Sequence, residues 1–146
     1  MTTAFADYVA EQTARNTNQL NVVKYTWMLC DALRQNYIDT AIRGHKQYIQ
    51  RDESVDYHKA CIQDLQSGTS PVDYTIESGK KYHKIIMSNY DSRSVHAFID
   101  KQTGAVLKPA SWRGPAKGER YNLLIIKQRE WLYENADWSG GYLYAK

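Results

Sequence analysis

The first 66 residues contain no proline and a single glycine, Gly44, so nothing in them forces the backbone out of a helix. Apolar side chains recur there every three or four positions, for example at Val22, Leu29, Leu33 and Tyr37. This period places them on one stripe of an α-helix. The N-terminal part, about residues 1–66, is therefore predicted to be helical, with this stripe buried against the rest of the protein.

Two polar segments divide the helical part. Residues 16–18, Asn-Thr-Asn, predict a break after a first helix, because short polar side chains favour caps over helix interiors. The next helix begins near residue 20, and either one long bent helix or two consecutive helices around Gly44 fit the pattern. Residues 51–54 predict a second break, with Asp52 or Ser54 capping a further helix that ends near residue 65.

The pattern changes at residues 67–71, Ser-Gly-Thr-Ser-Pro, which are typical turn residues. Beyond them, apolar and polar residues alternate as in half-buried strands. Strands are predicted at residues 74–77, 81–88, 94–99 and 105–108. The loop at 100–104 favours a positive φ at Gly104, and Pro109 ends the last strand or places it at an edge.

The remaining chain predicts a loop at residues 110–120, which contains Gly114, Pro115 and Gly118. Asn122 is predicted to cap a last helix that reaches about residue 135, and residues 142–144 are predicted to form a final strand. These elements indicate an α+β fold in which N-terminal helices pack on a small antiparallel sheet, with a C-terminal helix.

Length and composition favour one folding unit. A chain of 146 residues with 42% hydrophobic and 24% charged residues is typical of a globular domain. We predict a single domain over residues 1–146, with the helical part at about 1–66 and the sheet, a basic loop and the last helix at about 72–146. Cys30 and Cys61 are predicted to be buried free thiols, and the absence of a signal peptide or an apolar span predicts a reducing cytoplasm.

Cations are concentrated in one part of the chain. Residues 80–129 hold eleven Lys or Arg against three Asp or Glu, whereas residues 1–79 hold seven against ten. Such an excess attracts phosphates or an acidic protein surface over roughly 8–10 Å at physiological salt. The alternative interpretation is a solvated face that aids solubility.

One short, glycine-bearing stretch in this block combines four cations with an indole. Cations neutralise phosphates, and a Trp face can stack on an unpaired base. In the alternative, the indole folds back as a hydrophobic plug over the sheet. The candidate anion-binding or nucleic-acid-binding residues are Lys108, Trp112, Arg113, Lys117 and Arg120.

Patterns for catalysis, metals and cofactors are weak. The four histidines have no metal-site spacing, no serine has the surroundings of a nucleophile, and the glycines at 114 and 118 lack the spacing of a phosphate loop. His83 and His96 are expected on neighbouring strands, either as a catalytic pair or as hydrogen-bonded structural residues. The sequence predicts no cofactor or metal and favours a non-enzymatic role without excluding an enzyme.

The run SVHAFIDKQTGAVLKPASWRGPAKGERYNLL, residues 94–124, and the closing DWSGGYLY, residues 137–144, resemble a family of small uncharacterised proteins of tailed phages that infect marine cyanobacteria. The resemblance covers about residues 80–146, so the helical part is expected to be an extension particular to this member. It implies expression in the cytoplasm of an infected bacterium, or presence in the virion, and assigns no activity.

The combined expectation is a non-enzymatic phage accessory protein that binds an anionic partner through its basic Trp-containing loop. Nucleic acid is the simplest such partner, and an acidic host protein is another. The alternative is a protein-interaction or virion-structural protein that forms a homo-oligomer or binds a host protein. No membrane association is expected.

Overall fold

The computed structural model describes residues 4–144, whose elements follow the predicted order of helices, sheet and helix. The predicted α+β class, with N-terminal helices and a C-terminal helix, is confirmed. The elements are α1 (Ala4–Gln50), α2 (Val55–Gln66), β1 (Val72–Ser78), β2 (Tyr82–Asn89), β3 (Ser92–Asp100), β4 (Ala105–Leu107), β5 (Tyr121–Asn122), α3 (Ile126–Asn135) and a 3-10 helix (Gly141–Leu143).

The first helix is continuous, so the predicted break at residues 16–18 is wrong. The threonine hydroxyls bond inside the helix instead of capping a new one: Thr13 Oγ1 donates to the Val9 carbonyl at 3.0 Å, and Thr17 Oγ1 donates to the Thr13 carbonyl at 2.9 Å. Gly44 lies within the same helix, which selects the single-helix alternative. A glycine there costs only about 1 kcal/mol relative to alanine, so the surrounding helix tolerates it.

The predicted break at residues 51–54 is confirmed, but its chemistry differs from the prediction. Asp52 and Ser54 have positive φ angles of 60° and 47°. Ser54 precedes α2, yet its side chain makes no capping hydrogen bond. The reversal between α1 and α2 is therefore made by left-handed backbone conformations.

The five strands form one antiparallel sheet in chain order, β1-β2-β3-β4-β5. In the β2–β3 ladder, Ile85 pairs with Ala97 while Ile86 pairs with Val95, so His96 is an extra residue on β3 and forms a bulge. The bulge turns the His96 side chain toward the same face as Ala97. This face of the sheet packs on α1.

The core lies between α1 and that face of the sheet. From the helix come Val22, Leu29 and Leu33, which the sequence pattern identified. Strand residues and the C-terminal segment complete the core, including Tyr74, Ile85, Ala97, Ile99, Val106, Leu132 and Leu143. Cys30 is buried and Cys61 is half-buried, and both thiols are free, as predicted for Cys30 and only in part for Cys61.

The C-terminal segment differs from the prediction at two points. Asn122 lies in β5 and does not cap α3, which begins four residues later. Residues 141–143 form a 3-10 helix, so the predicted final strand is wrong. The reason is Asp137, whose carboxylate accepts hydrogen bonds from the Tyr142 N–H, at 3.0 Å, and from the Ser139 hydroxyl. These hydrogen bonds hold the chain in a turn, so it does not extend as a strand.

Tyrosine hydroxyls fasten this segment to the sheet. Tyr74 donates to the Trp138 carbonyl at 2.7 Å, and Tyr121 donates to the Tyr142 carbonyl at 2.8 Å. Within residues 4–144, no helix is both long enough and apolar enough to cross a bilayer. That residues 1–146 fold as one domain stays a prediction.

Candidate nucleic-acid interface

The sheet has a second face, turned away from α1, which we call the outer face. Strand register defines it: Glu77, Lys84, Phe98 and Leu107 form one cross-strand row. Alternation along each strand puts these side chains opposite the core residues. Tyr82 belongs to the same face, because it is two residues from Lys84, and its ring meets the Phe98 ring edge-on at 5.8 Å.

The loop after β4 folds over the outer face. The Ala116 N–H donates to the Lys108 carbonyl at 2.9 Å, and the Ala110 N–H donates to the Gly114 carbonyl at 3.1 Å. A β-bridge between Pro109 and Pro115 joins the two arms. These contacts close the loop and leave its tip, residues 111–113, lying on the sheet.

Trp112 at this tip contacts two cations of the sheet. Lys84 Nζ is 4.5 Å from the centroid of the indole, and Arg93 Cζ is 5.6 Å from it. Both distances are within the range of a cation–π attraction, which is worth about 0.5–1 kcal/mol at an exposed site. The two contacts hold the ring in place on β2 and β3.

The position of Trp112 has features of both alternatives that the sequence left open, a ligand contact and a hydrophobic plug over the sheet. Phe98 and Ile86 on the outer face are buried, so the face is covered. Trp112 itself is 43% exposed. An aromatic surface therefore remains available to a ligand above a hydrophobic base.

A basic pocket of about 270 Å³ adjoins the indole, formed at the turn between β1 and β2 and by the loop tip. Its cations are Lys80, Lys81, Lys84 and Arg113. The one carboxylate in its lining, Glu77, accepts a hydrogen bond from Arg93 Nη2 at 2.8 Å. The pocket thus presents a net positive charge next to exposed aromatic surface.

The five residues that the sequence singled out do not all lie on the outer face. Trp112 and Arg113 lie on the outer face, as described. Lys108 does not join them, because its ammonium lies 5.1 Å from the ring centroid of Tyr144. Lys117 is exposed in the loop. Arg120 is half-buried beside β4, where its backbone N–H donates to the Val106 carbonyl at 2.8 Å.

Sequence reasoning missed Lys84 and Arg93, which contact the indole, as well as Lys80 and Lys81 in the pocket. One signal was present: in the predicted strand at residues 81–88, Lys84 falls on the face opposite Ile85. Finding it required knowledge of which strand face the later loop covers. That information is not local in the sequence.

The two sheet histidines have separate partners. His83 Nδ1 lies 2.6 Å from the Ser78 hydroxyl, and His96 Nε2 lies 2.8 Å from the Tyr142 hydroxyl. Burial lowers the pKa of His83, with a smaller contribution from Lys101, and burial lowers the pKa of His96 to about 4. Both rings therefore fit the structural interpretation of hydrogen-bonded, uncharged histidines.

Across the described residues 4–144, no group of three or more His, Cys, Asp or Glu side chains has the geometry to hold a metal ion. His45 and His58 form a pair between α1 and α2, with 2.7 Å between their Nδ1 atoms. A hydrogen bond between these atoms needs a proton on one of them and a free lone pair on the other. The pair joins the two helices.

Sequence comparison gives the family. The model of a family of unknown function, DUF7717, matches residues 5–145. The chain belongs to this family. The match includes α1 and α2, so the expectation that the helical part is an extension particular to this member is wrong. Comparison with curated proteins and with solved structures gave no match.

Proposed function

We propose that the outer face of this DUF7717 protein binds single-stranded nucleic acid without catalysing a reaction. The observation that carries the proposal is the position of Trp112, a partly exposed indole in contact with Lys84 and Arg93 beside a basic pocket. In this binding mode a base stacks on the indole, and its flanking phosphates contact the surrounding cations.

Single strands fit this surface better than duplex. Stacking on an aromatic side chain requires a base whose face is free, and it is worth about 1–3 kcal/mol per base. Sheet surfaces that carry aromatic and basic residues serve this purpose in several single-strand-binding folds. The aromatic and cationic groups here lie within one small area, as such a contact requires.

The experiment is a salt-titrated binding assay with matched single-stranded and duplex oligonucleotides. We expect binding at low ionic strength that weakens as salt rises, with preference for the single strand. Trp112→Ala is expected to weaken binding about 5- to 160-fold, the equivalent of one lost stack. Trp27→Ala is the matched control, because Trp27 is exposed to a similar extent (46%) on α1.

The outcomes separate clearly. No binding at low ionic strength discards the proposal. Equal weakening by both tryptophan substitutions discards the assignment to the outer face. Equal affinity for duplex and single strand removes the stacking step and leaves a general electrostatic contact.

We further propose, on the resemblance of residues 94–124 and 137–144, that the protein is an accessory protein of a tailed cyanobacterial phage and works in the cytoplasm of the infected cell. Mass spectrometry of infected cells and of purified virions tests this location. Abundance in the cells with depletion from the particles supports it. Enrichment in the particles supports a virion role instead.

A second candidate function is self-association through α1. This helix of 47 residues is about 70 Å long and has large exposed apolar side chains on one side, at spacings close to whole turns. These residues are Phe5, Val9, Leu20 and Trp27. A second copy pairing along this row would give a homodimer, which light scattering detects, and Leu20→Glu would return it to a monomer.

A further inference from the structure

A second pocket, of about 380 Å³, lies between α1, α2 and the β2–β3 turn. Three tyrosines from three different elements line it: Tyr37 from α1, Tyr57 from α2 and Tyr90 from the turn. We call it the tyrosine pocket. It has no part in the proposed nucleic-acid contact.

Tyr90 lies close enough to Tyr37 and to Tyr57 to affect the pKa of each. Burial raises the pKa of Tyr37, and Tyr90 adds to this rise. A hydrogen bond with Cys61 raises the pKa of Tyr57, and Tyr90 adds a smaller rise there too. All three side chains line the same pocket.

The charge of this pocket is negative. Asp64 is the one carboxylate among the lining residues, and burial and the neighbouring His58 lower the pKa of His45, which favours its neutral ring. Among residues 4–144, no Lys, Arg or His side chain forms an ion pair with the Asp64 carboxylate. An unneutralised carboxylate therefore stands beside several aromatic rings.

Tyr90 occupies its place at a conformational cost. It lies in the two-residue turn between β2 and β3, with a φ of 54°, and it is 82% exposed. For a bulky side chain this left-handed conformation costs roughly 1–2 kcal/mol, and Gly, Asn or Asp is usual there. Residues held in such strained conformations cluster at active sites and ligand-binding sites.

We propose that the tyrosine pocket binds an organic cation bearing an ammonium or methylated ammonium group. Aromatic rings attract such a group through their negative π-faces, and three tyrosines line this pocket together with the Asp64 carboxylate, which balances the charge. Methylated ammonium groups suit the pocket because they shed water more easily than a bare ammonium. The proposal is independent of the nucleic-acid proposal, since it uses other residues and a ligand of opposite charge.

The test titrates the full-length protein with choline and, separately, with the neutral analogue in which carbon replaces the choline nitrogen. NMR shifts of backbone amides near Tyr90 and Asp64 report binding at this site. We expect choline to bind about tenfold more tightly than the neutral analogue, because only choline gains from the ring faces and the carboxylate. Equal binding of both compounds, or no binding of choline, overturns the proposal.

Two variants and their controls locate the site. Asp64→Asn and Tyr90→Asn are each expected to weaken choline binding about tenfold, and Asn is well tolerated at positive φ, so Tyr90→Asn keeps the turn. Asp52→Asn and Tyr8→Ala remove an equivalent charge and an exposed ring elsewhere, and are expected to change nothing. Choline binding that survives both pocket substitutions contradicts the assignment.

Discussion

His96 Nε2 lies 2.8 Å from the hydroxyl oxygen of Tyr142, and this hydrogen bond ties the bulge in β3 to the C-terminal segment. The Tyr74 ring meets the imidazole edge-on at 5.4 Å, so the pair is enclosed in aromatic surface. Burial there disfavours the charged imidazolium and lowers the pKa of His96 to about 4, despite the opposing effect of Asp137.

This environment predicts that the protein loses stability as pH falls from about 6.5 to about 4. Between these values the unfolded chain binds a proton at His96 that the folded protein does not, so stability is complete above the window and decreases through it. The loss is about 1.4 kcal/mol per pH unit and on the order of 3 kcal/mol in total. His45 and His83, whose pKa values burial also lowers, act in the same direction.

Urea unfolding at several pH values measures the slope of the free energy of unfolding against pH. His96→Asn is expected to reduce it by the equivalent of about one proton. A variant with the wild-type slope would assign the pH dependence to other groups.

Tyr142→Phe is expected to destabilise the protein by about 1–3 kcal/mol, because it leaves a buried imidazole nitrogen without its partner. Thermal or urea unfolding measures the loss. Tyr144→Phe is the matched control, since Tyr144 is 57% exposed and a surface substitution of this kind changes stability by less than about 0.5 kcal/mol. Equal effects of the two substitutions would show that the hydrogen bond is unimportant.

Gly104→Ala is expected to cost roughly 2 kcal/mol or more. Gly104 has a φ of 76°, and a Cβ there would lie 3.0 Å from both Asn122 Oδ1 and Leu124 Cγ. Gly118→Ala isolates the backbone contribution, because Gly118 also has a positive φ, of 103°, but open space around it. The difference between the two free energies of unfolding therefore measures the steric contact, and a difference near zero would contradict it.

Tyr90→Asn is expected to stabilise the fold by about 0.5–1 kcal/mol, because Asn adopts positive φ more readily than Tyr. A raised melting temperature measures this gain. The same substitution is expected to weaken choline binding, so stability and ligand affinity change in opposite directions. A loss of stability would mean that the exposed ring contributes packing that offsets its strain.

Lys84→Gln is expected to reduce the salt dependence of oligonucleotide binding by roughly 0.7 in log–log slope, the value for one phosphate contact on a single strand. Lys117→Gln removes the same charge from an exposed loop position outside the lining of the basic pocket. Its slope is expected to change less. Equal changes would indicate a diffuse electrostatic attraction in place of binding at the outer face.

Some of the candidate site was accessible to sequence reasoning, since Trp112 and Arg113 are neighbours in one glycine-bearing loop. Other parts of the site could not be found in this way. Lys108 is close to Trp112 in sequence, but it points to Tyr144, whereas Lys84 is 28 residues away and contacts the indole. Closeness along the chain says little about which side of a sheet a side chain occupies once a loop folds back.

The sequence by itself determined the α+β class, the change from helix to strand near residues 67–71 and the positive φ at Gly104, because hydrophobic period and turn chemistry act over a few residues. The continuity of α1 through residues 16–18 involves local hydrogen bonds of Thr13 and Thr17, which the residue pattern did not reveal. Tertiary structure alone decided that His96 enters the core from a bulge and that Trp112 contacts Lys84 and Arg93. These features depend on strand register and on packing between distant segments, and their energies exceed the local preferences that predicted otherwise.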